Sequence, residues 1–341
     1  MADVDDLEEI GDLETYVDQS AVVNMFLSHG YFDSPNCLKE VRAAVRKEKP
    51  LMLTHEADTA KGGGPLDAIA NELDDKQLRE TIFKEGRCIT TWYRITVFQL
   101  VSLKQIAEFT LLQTPEYKDR DKLDIFVRGD LLRQPLGFTV PVVLYTSPHN
   151  TGARSFAAEL EACYNGIEVV EKFGIDVDEV KPTHFLLYLN VDTFCSDAGE
   201  QLAAELRRAR AAKLPIVMAH ENDPQRGGCA FERFFQTTPK DLTKNRLYKS
   251  LAYAAYPGNA HRAVSLALIA KALGAVPHDI GTSLSGLSLK TVISASEMRK
   301  LAVRLLARVK ATVMQPRAHR ETELLTLTEA GTVTIRSTEV T

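Results

Sequence analysis

Two glutamates are the first candidates for chemistry, because each lies in a predicted helix that follows a predicted buried strand. Glu40 comes after the strand that ends at Leu27, and Glu205 comes after the strand that ends at Leu189. In open α/β folds, ligands bind at the carboxyl edge of the parallel sheet. A carboxylate placed there stabilises positive charge that develops on a bound substrate. The sequence therefore predicts that Glu40 and Glu205 lie near a ligand-binding edge.

A purely structural role is the alternative for both glutamates. A glutamate near the start of a helix is favourable because it faces the positive end of the helix dipole. Glu40, however, follows Ser34 and Cys37 at the start of its helix. Ser34 is predicted to cap that helix, and Cys37 and Glu40 then lie on one helical face, three residues apart.

A second polar run, His-Glu-x-Asp, occurs at residues 55–58 and again at 220–223. A cation and two glycines follow each copy, Lys61-Gly62-Gly63 in the first and Arg226-Gly227-Gly228 in the second. Metal binding is one interpretation, since these are ligand side chains. Phosphate binding by the cation and the glycine amides is another. A turn in which glycine permits positive φ and the acid acts as a cap is the interpretation we favour, because adjacent side chains diverge as they leave a strand.

These residues recur because the chain contains a long internal repeat. Residues 50–58 correspond to residues 215–223 at an offset of 165, and Val101-Ser102-Leu103 corresponds to Val264-Ser265-Leu266 at an offset of 163. Solenoid repeats have periods of about 20–50 residues. The much longer period here predicts two whole domains of one fold.

Strands alternate with helices in both copies, which predicts parallel sheets covered on both faces. For repeat 2 we predict strands at 140–145, 167–170, 184–189 and 215–219, and helices at 154–164, 200–212, 241–253 and 260–273. For repeat 1 we predict strands at 21–27 and 50–54, and helices at 7–17, 34–47, 74–83 and 97–112. Repeat 1 thus has no counterpart of the first two strands of repeat 2. Either another element completes its sheet, or the chain is a fragment of a longer one.

The predicted fold class is α/β, with two tandem flavodoxin-like three-layer domains of which the first lacks its N-terminal strands. The predicted boundaries are 1–112 for repeat 1, 113–139 for a charged linker, 140–276 for repeat 2 and 277–341 for a C-terminal extension. In the extension we predict a basic helix at 298–314, docked on repeat 2 rather than binding a partner or an acidic lipid, and a hairpin of strands at 325–328 and 333–335. Trp92, the single tryptophan, is predicted to be a packing anchor rather than a platform for a base.

Composition excludes several classes of function. The chain has 341 residues and a net charge of -5, which argues against nucleic-acid binding by a basic face. No apolar run approaches the ~18 residues of a membrane span, and the acidic start of the chain lacks the features of a signal peptide. The five cysteines form no Cys-x-x-Cys pair. Reduced thiols and a cytoplasmic location are therefore expected.

The run Ser34-Pro35-Asn36-Cys37-Leu38-Lys39-Glu40-Val41 resembles the TIR domain family, whose members carry Ser-x-x-Cys-Leu-x-Glu-Leu between a strand and a helix. The strand at 21–27 looks like the third strand of that fold. The resemblance covers about residues 3–112 and, through the internal repeat, 140–275. Repeat 2 departs from the pattern, with Leu202 in the place of the cysteine and three additional residues before the helix.

In enzymatic TIR domains, the glutamate of this motif acts at the nicotinamide side of NAD. The resemblance therefore implies an NAD glycohydrolase that uses Glu40 or Glu205, with NAD as substrate and no separate cofactor. The residues expected to contact NAD are Ser28, Ser34 and Cys37 in repeat 1 and Tyr145, Ser147 and Arg154 in repeat 2. A non-catalytic assembly scaffold that binds other TIR-like domains or itself is the second expectation, and a nucleotide sensor without turnover is the third.

Overall fold

The computed structural model describes residues 13–172, 181–277, 323–327 and 333–337. The chain forms two compact units. Unit 1 comprises Met1–Trp92, Phe109–Asp121 and Ile293–Thr341, and unit 2 comprises Tyr93–Glu108 and Lys122–Val292. The predicted basic helix at 298–314 and the first residues of the helix predicted at 7–17 lie outside the described residues.

Unit 1 contains a sheet of three parallel strands with helices from the same part of the chain. Its elements are α1 (Leu13–Gln19), β1 (Val23–Leu27), α2 (Pro35–Arg46), β2 (Leu51–Glu56), α3 (Leu66–Asn71), α4 (Lys76–Ile82) and β3 (Ile89–Trp92), and α5 (Thr96–Leu112) follows them. The strand order is β1-β2-β3, with Val23 opposite Leu51 and Leu53 opposite Ile89. Every residue of the central strand β2 is buried, as expected for a parallel strand covered on both faces.

Unit 2 contains a larger sheet of five parallel strands. Its elements are β4 (Leu136–Gly137), β5 (Val142–Thr146), α6 (Ala153–Cys163), β6 (Ile167–Val170), β7 (His184–Leu189), α7 (Ser196–Ala211), β8 (Ile216–Glu221), α8 (Glu232–Thr237), α9 (Lys240–Lys244), β9 (Ala252–Ala255), α10 (Asn259–Ala272) and β10 (Val276–Pro277). The strand order is β6-β5-β7-β8-β9, which is the flavodoxin-like order. Helices α6 and α10 cover one face of the sheet and α7 covers the other.

The predicted fold class is confirmed, since the three-stranded and the five-stranded sheets are both parallel, and no described strand of the first takes the place of the two opening strands. The predicted hairpin is confirmed as well, because β11 (Glu323–Leu327) pairs with β12 (Val333–Ser337) in antiparallel fashion. Trp92 is buried at the end of β3 and packs edge-on against Phe26, with ring centroids 6.1 Å apart, as expected of a packing anchor.

Two strands of the parallel sheets, β3 and β9, were not predicted from the sequence. The helix predicted at 241–253 is in fact the short helix α9, a 3₁₀ turn over Leu247–Lys249 and the start of strand β9. The run Ala-Tyr-Ala-Ala of β9 is rich in the strongest helix former, and its pairing with β8 overrides that preference. Strand β3 was missed because it has only four residues, too few to show a clear alternation.

The residues Tyr93–Glu108 belong to repeat 1 by sequence but pack within unit 2. Four aromatic rings meet there, and they form two pairs of repeat counterparts at the offset of 163, Tyr93 with Tyr256 and Phe98 with His261. Tyr93 stacks on Tyr256 with centroids 4.0 Å apart, while Phe98 contacts Tyr256 and Tyr93 contacts His261, both at 4.7 Å. Ser102 Oγ lies 3.1 Å from His261 Nε2 inside this cluster. Burial lowers the pKa of His261 to about 4.

We expect this histidine to make unit 2 acid-sensitive. Between pH 6.5 and 4 the unfolded chain binds a proton at His261 that the folded chain does not bind, so stability falls as the pH falls through that window. The expected loss is about 2 kcal/mol of unfolding free energy. Urea unfolding followed by circular dichroism at pH 7, 5.5 and 4.5 measures it. His261→Phe, which installs the repeat-1 residue, should remove that part of the pH dependence, and an unchanged slope would contradict the assignment.

Candidate functional site

The strand order of unit 2 predicts a crevice at the carboxyl edge of its sheet. From β5 the chain passes through α6 to β6 on one side, and then returns to β7 on the other side. The loops that follow β5 and β7 therefore diverge, which is the topological switch point where open α/β sheets bind ligands. The residues around this crevice form the candidate site.

The loop after β5 is held in one conformation by side-chain hydrogen bonds. Asn150 accepts from the backbone N–H of Tyr188 and donates to the Tyr188 carbonyl, both at 2.8 Å. Ser147 Oγ accepts from the backbone N–H of His149 at 3.0 Å. Gly152 has φ +83°, and a Cβ at this position would lie 2.8 Å from the Tyr188 ring. In this conformation the loop lies against the end of β7.

Glu205 lies beneath this loop, in helix α7. The residue is only 7% exposed, and its Oε2 is buried without a hydrogen-bond partner among the described residues. Its Oε1 is 3.9 Å from His149 Nε2. Burial raises the pKa of Tyr145, and the neighbouring Glu205 carboxylate raises it further. Because a buried carboxylate oxygen without a partner is costly, Glu205 has the features of a group that awaits a ligand.

The two glutamates differ in depth along their helices. Glu205 lies nine residues beyond the first residue of α7, about 14 Å along the axis, and Glu40 lies five residues beyond the first residue of α2, about 8 Å along its axis. The additional turn of α7 starts tightly, because Phe194 and Ser196 have positive φ and a Cβ on Gly199 would lie 2.3 Å from the Phe194 backbone. The prediction that the three additional residues of repeat 2 precede the helix is wrong, because they lie within α7 and place Glu205 about one turn further along its helix than Glu40.

Repeat 1 gives Glu40 a different environment. Glu40 is half-buried, and its charge acts on Tyr31 and Cys37. The pKa of the Tyr31 phenol is raised mainly by burial and also by Glu40. Burial raises the pKa of Cys37 too, which keeps it a thiol rather than a nucleophilic thiolate. No described strand pairs with the outer edge of β1, so repeat 1 has no described counterpart of the crevice.

Three other residues predicted to contact NAD, Ser34, Ser28 and Arg154, lie in different environments. Ser34 caps α2 by accepting from the backbone N–H of Cys37 at 3.4 Å, which confirms the predicted cap. Ser28 is half-buried just after β1. Arg154 is exposed and lies 3.6 Å from Glu161 on the same helix.

The structure therefore brings Tyr145, Ser147 and Glu205 together and adds His149. The sequence missed His149 because a lone histidine in a loop has no periodicity that would mark it.

The His-Glu-x-Asp runs form two equivalent turns. His55 and His220 each donate from Nε2 to a carbonyl nine residues later, at 2.7 Å, and Asp58 and Asp223 each cap a 3₁₀ turn at 3.0 Å. The glycines at 62 and 227 have φ of +79° and +77°. The predicted structural turn is confirmed. Within the described ranges, no cluster of three or more His, Cys, Asp or Glu side chains is arranged to hold a metal ion.

The turn of repeat 1 offers a test with two neighbouring glycines. A Cβ on Gly63 would lie 2.3 Å from the Glu56 carbonyl oxygen, whereas a Cβ on Gly64 meets nothing within 4 Å. We expect Gly63→Ala to destabilise unit 1 by about 2–4 kcal/mol and Gly64→Ala to change it by less than about 0.5 kcal/mol. Urea unfolding followed by the fluorescence of Trp92 measures both. Equal effects of the two variants would show that the turn tolerates the added carbon.

Glu221, the glutamate of the His-Glu-x-Asp turn in repeat 2, has a structural role. It is fully buried, accepts from the Tyr188 hydroxyl at 2.6 Å and pairs with Arg262 at 2.9 Å. Arg262 also binds Glu159 at 2.7 Å and lies over the Phe156 ring at 4.7 Å. Burial alone would raise the pKa of Glu159, but hydrogen bonds from Arg262 and from Arg226 outweigh it and lower the pKa. All these groups are satisfied, so we assign them to the core rather than to the site.

Removing Arg262 should leave Glu221 as an uncompensated buried charge. We expect Arg262→Met to cost about 3–5 kcal/mol of unfolding free energy. Arg207→Gln is the control, because Arg207 and Asp241 form an exposed pair at 2.7 Å that contributes less than about 1 kcal/mol. Thermal and urea unfolding of the two variants measure the difference. A loss of less than 1 kcal/mol for Arg262→Met would contradict a structural role for the network.

Compared with known proteins, the chain matches no protein-family model and no curated protein sequence. Among the described helices, none is both long and apolar enough to cross a membrane. The candidate site therefore rests on the geometry given above.

Proposed function

We propose that repeat 2 binds NAD in the switch-point crevice and hydrolyses its bond between ribose and nicotinamide. The observation that carries the proposal is the buried Oε2 of Glu205, which has no described hydrogen-bond partner beneath the loop that follows β5. The TIR-like motif is the second support, because Glu205 is the repeat counterpart of the motif glutamate Glu40.

Hydrolysis of the bond between ribose and nicotinamide requires only one carboxylate. When the bond between ribose C1′ and the nicotinamide nitrogen breaks, its electron pair goes to nicotinamide, which leaves neutral and needs no acid. Positive charge then develops on the ribose, and the Glu205 carboxylate stabilises it. Water adds to C1′ and loses a proton, giving ADP-ribose, nicotinamide and one proton.

The neighbours of Glu205 have roles in this scheme. Tyr145, kept as a phenol by burial and by the carboxylate beside it, orients Glu205. His149, with Nε2 3.9 Å from Glu205 Oε1, takes the proton from the attacking water. Ser147 holds the loop so that His149 stays above the carboxylate.

One observation favours a second candidate. The side chain of Glu205 is only 10% exposed, so a substrate reaches it only after the loop above it moves. Assembly with other TIR-like domains, including further copies of this chain, is the trigger we propose for that movement. If the loop never opens, the protein is an assembly scaffold or a nucleotide sensor that does not cleave its ligand.

Nicotinamide release from NAD, measured by chromatography over a range of protein concentrations, tests the proposal. We expect Glu205→Gln to lower the rate at least 100-fold, since it removes the charge that stabilises the ribose cation. Glu40→Gln is the matched control and should keep most of the activity. Equal rates for Glu205→Gln and the unaltered chain would exclude Glu205 as the catalytic group. NAD-induced thermal stabilisation without release would identify the sensor instead.

A further inference from the structure

A separate surface of unit 2 lies in the connection between β8 and β9. A depression of about 400 Å³ is lined there by Phe235, Thr243, Arg246, Tyr248 and Lys249. We call it the α8–α9 surface. None of these residues belongs to the candidate site around Glu205.

Aromatic rings form the floor and one side of the α8–α9 surface. Phe235 is 57% exposed, and its ring contacts Tyr248 and Phe231 at centroid distances of 5.6 and 5.7 Å. The Tyr248 hydroxyl is fixed by Thr238 Oγ1 at 2.5 Å. Leu251, two residues after Lys249, is 73% exposed. Large exposed apolar side chains on a rigid aromatic base are typical of binding hot spots.

The rim of the α8–α9 surface is positively charged. Residues 239–250 contain four cations and one acid, Asp241, which is paired with Arg207. Lys244, Arg246 and Lys249 are exposed, and within the described residues none of the three forms an ion pair. This positive rim stands out on a chain whose net charge is -5.

The fold itself does not require these cations. When Leu78 of repeat 1 is aligned with Leu242, Glu80 and Glu85 take the places of Lys244 and Lys249. Both repeats thus have leucine at the core position, but the two acidic residues of repeat 1 are replaced by lysines in repeat 2. The positive rim is therefore found only in repeat 2. Arg246 moreover holds a left-handed backbone conformation, with φ +62° and ψ +43°, that costs free energy in any residue other than glycine.

We propose that the α8–α9 surface binds an acidic peptide segment of a partner protein, anchored by an aromatic or aliphatic side chain. The anchor packs against Phe235 and Tyr248, and the acidic residues on either side pair with Arg246 and Lys249. The depression is open on the solvent side, whereas small-molecule sites enclose most of their ligand. A peptide, which needs only one face covered, therefore fits better than a nucleotide. This inference is independent of the proposed NAD hydrolysis.

Fluorescence anisotropy of labelled twelve-residue peptides with the full chain tests the proposal. One set contains Asp and Glu around a central Phe or Leu. A second set keeps the apolar residue but replaces the acids by Asn and Gln, and a third keeps the acids but replaces the apolar residue by Ser. Only the first set should bind, with an affinity that falls steeply as salt rises.

The variants locate the binding. We expect the double variant Arg246→Asn with Lys249→Gln to weaken the acidic peptides at least tenfold, and Phe235→Ser to do the same. Asn tolerates the left-handed backbone at position 246, so the double variant should remain folded, which circular dichroism checks. The control is Lys122→Gln with Lys271→Gln, which removes two exposed cations elsewhere in unit 2 and should leave the affinity unchanged.

Several results would overturn the proposal. These are equal binding of the acidic and neutral sets, loss of affinity in the control variant, and no binding by any acidic peptide at 1 mM. Displacement of the peptide by AMP would assign the surface to nucleotides. Self-association of the unliganded chain that disappears in Phe235→Ser, together with no peptide binding, would assign it to a second copy.

Discussion

The position of β5 between β6 and β7 governs the candidate chemistry of this protein. The chain leaves β5 in one direction and returns in the other, so the loops after β5 and β7 diverge at the place where open α/β sheets bind ligands. The side chain of Asn150 connects the loop after β5 to β7 by hydrogen bonds to the backbone of Tyr188. Glu205, Tyr145 and His149 meet only because this one strand brings the loop over α7.

The two repeats show what depends on that strand. Glu40 and Glu205 are counterparts in sequence, and each lies near a buried tyrosine that feels its charge. In repeat 2 the tyrosine comes from β5, while in repeat 1 it comes from the loop after β1. Without a strand in the place of β5, the described part of repeat 1 packs this region with its own loop and forms no crevice. The corresponding helices thus carry a half-buried glutamate in repeat 1 and a buried candidate catalytic glutamate in repeat 2.

Histidine and glutamate, which are often catalytic in enzymes, have structural roles in the His-Glu-x-Asp runs of this chain. Both histidines of the His-Glu-x-Asp runs hydrogen-bond a strand end to the following loop. Glu221 hydrogen-bonds to Tyr188 and forms an ion pair with Arg262. Hydrogen bonding separates them from Glu205, because Nε2 of each histidine and both oxygens of Glu221 have partners while Glu205 Oε2 has none among the described residues. A buried polar group earns a functional interpretation only when the fold leaves it unpaired.

The sequence by itself determined the duplication, the parallel α/β class, the smaller number of strands in the described part of repeat 1, the capped turn at each His-Glu-x-Asp run and the hairpin at 323–337. These follow from local patterns, such as apolar runs, capping residues and glycines, whose meaning does not depend on distant contacts. The tertiary structure alone decided that β9 is a strand, since its alanines favour a helix until β8 pairs with them. It also decided that His149 joins Glu205, that Arg154 stays outside and that Tyr93–Glu108 packs in unit 2. Each of these depends on which segments the fold brings together across tens of residues, and no local pattern encodes that.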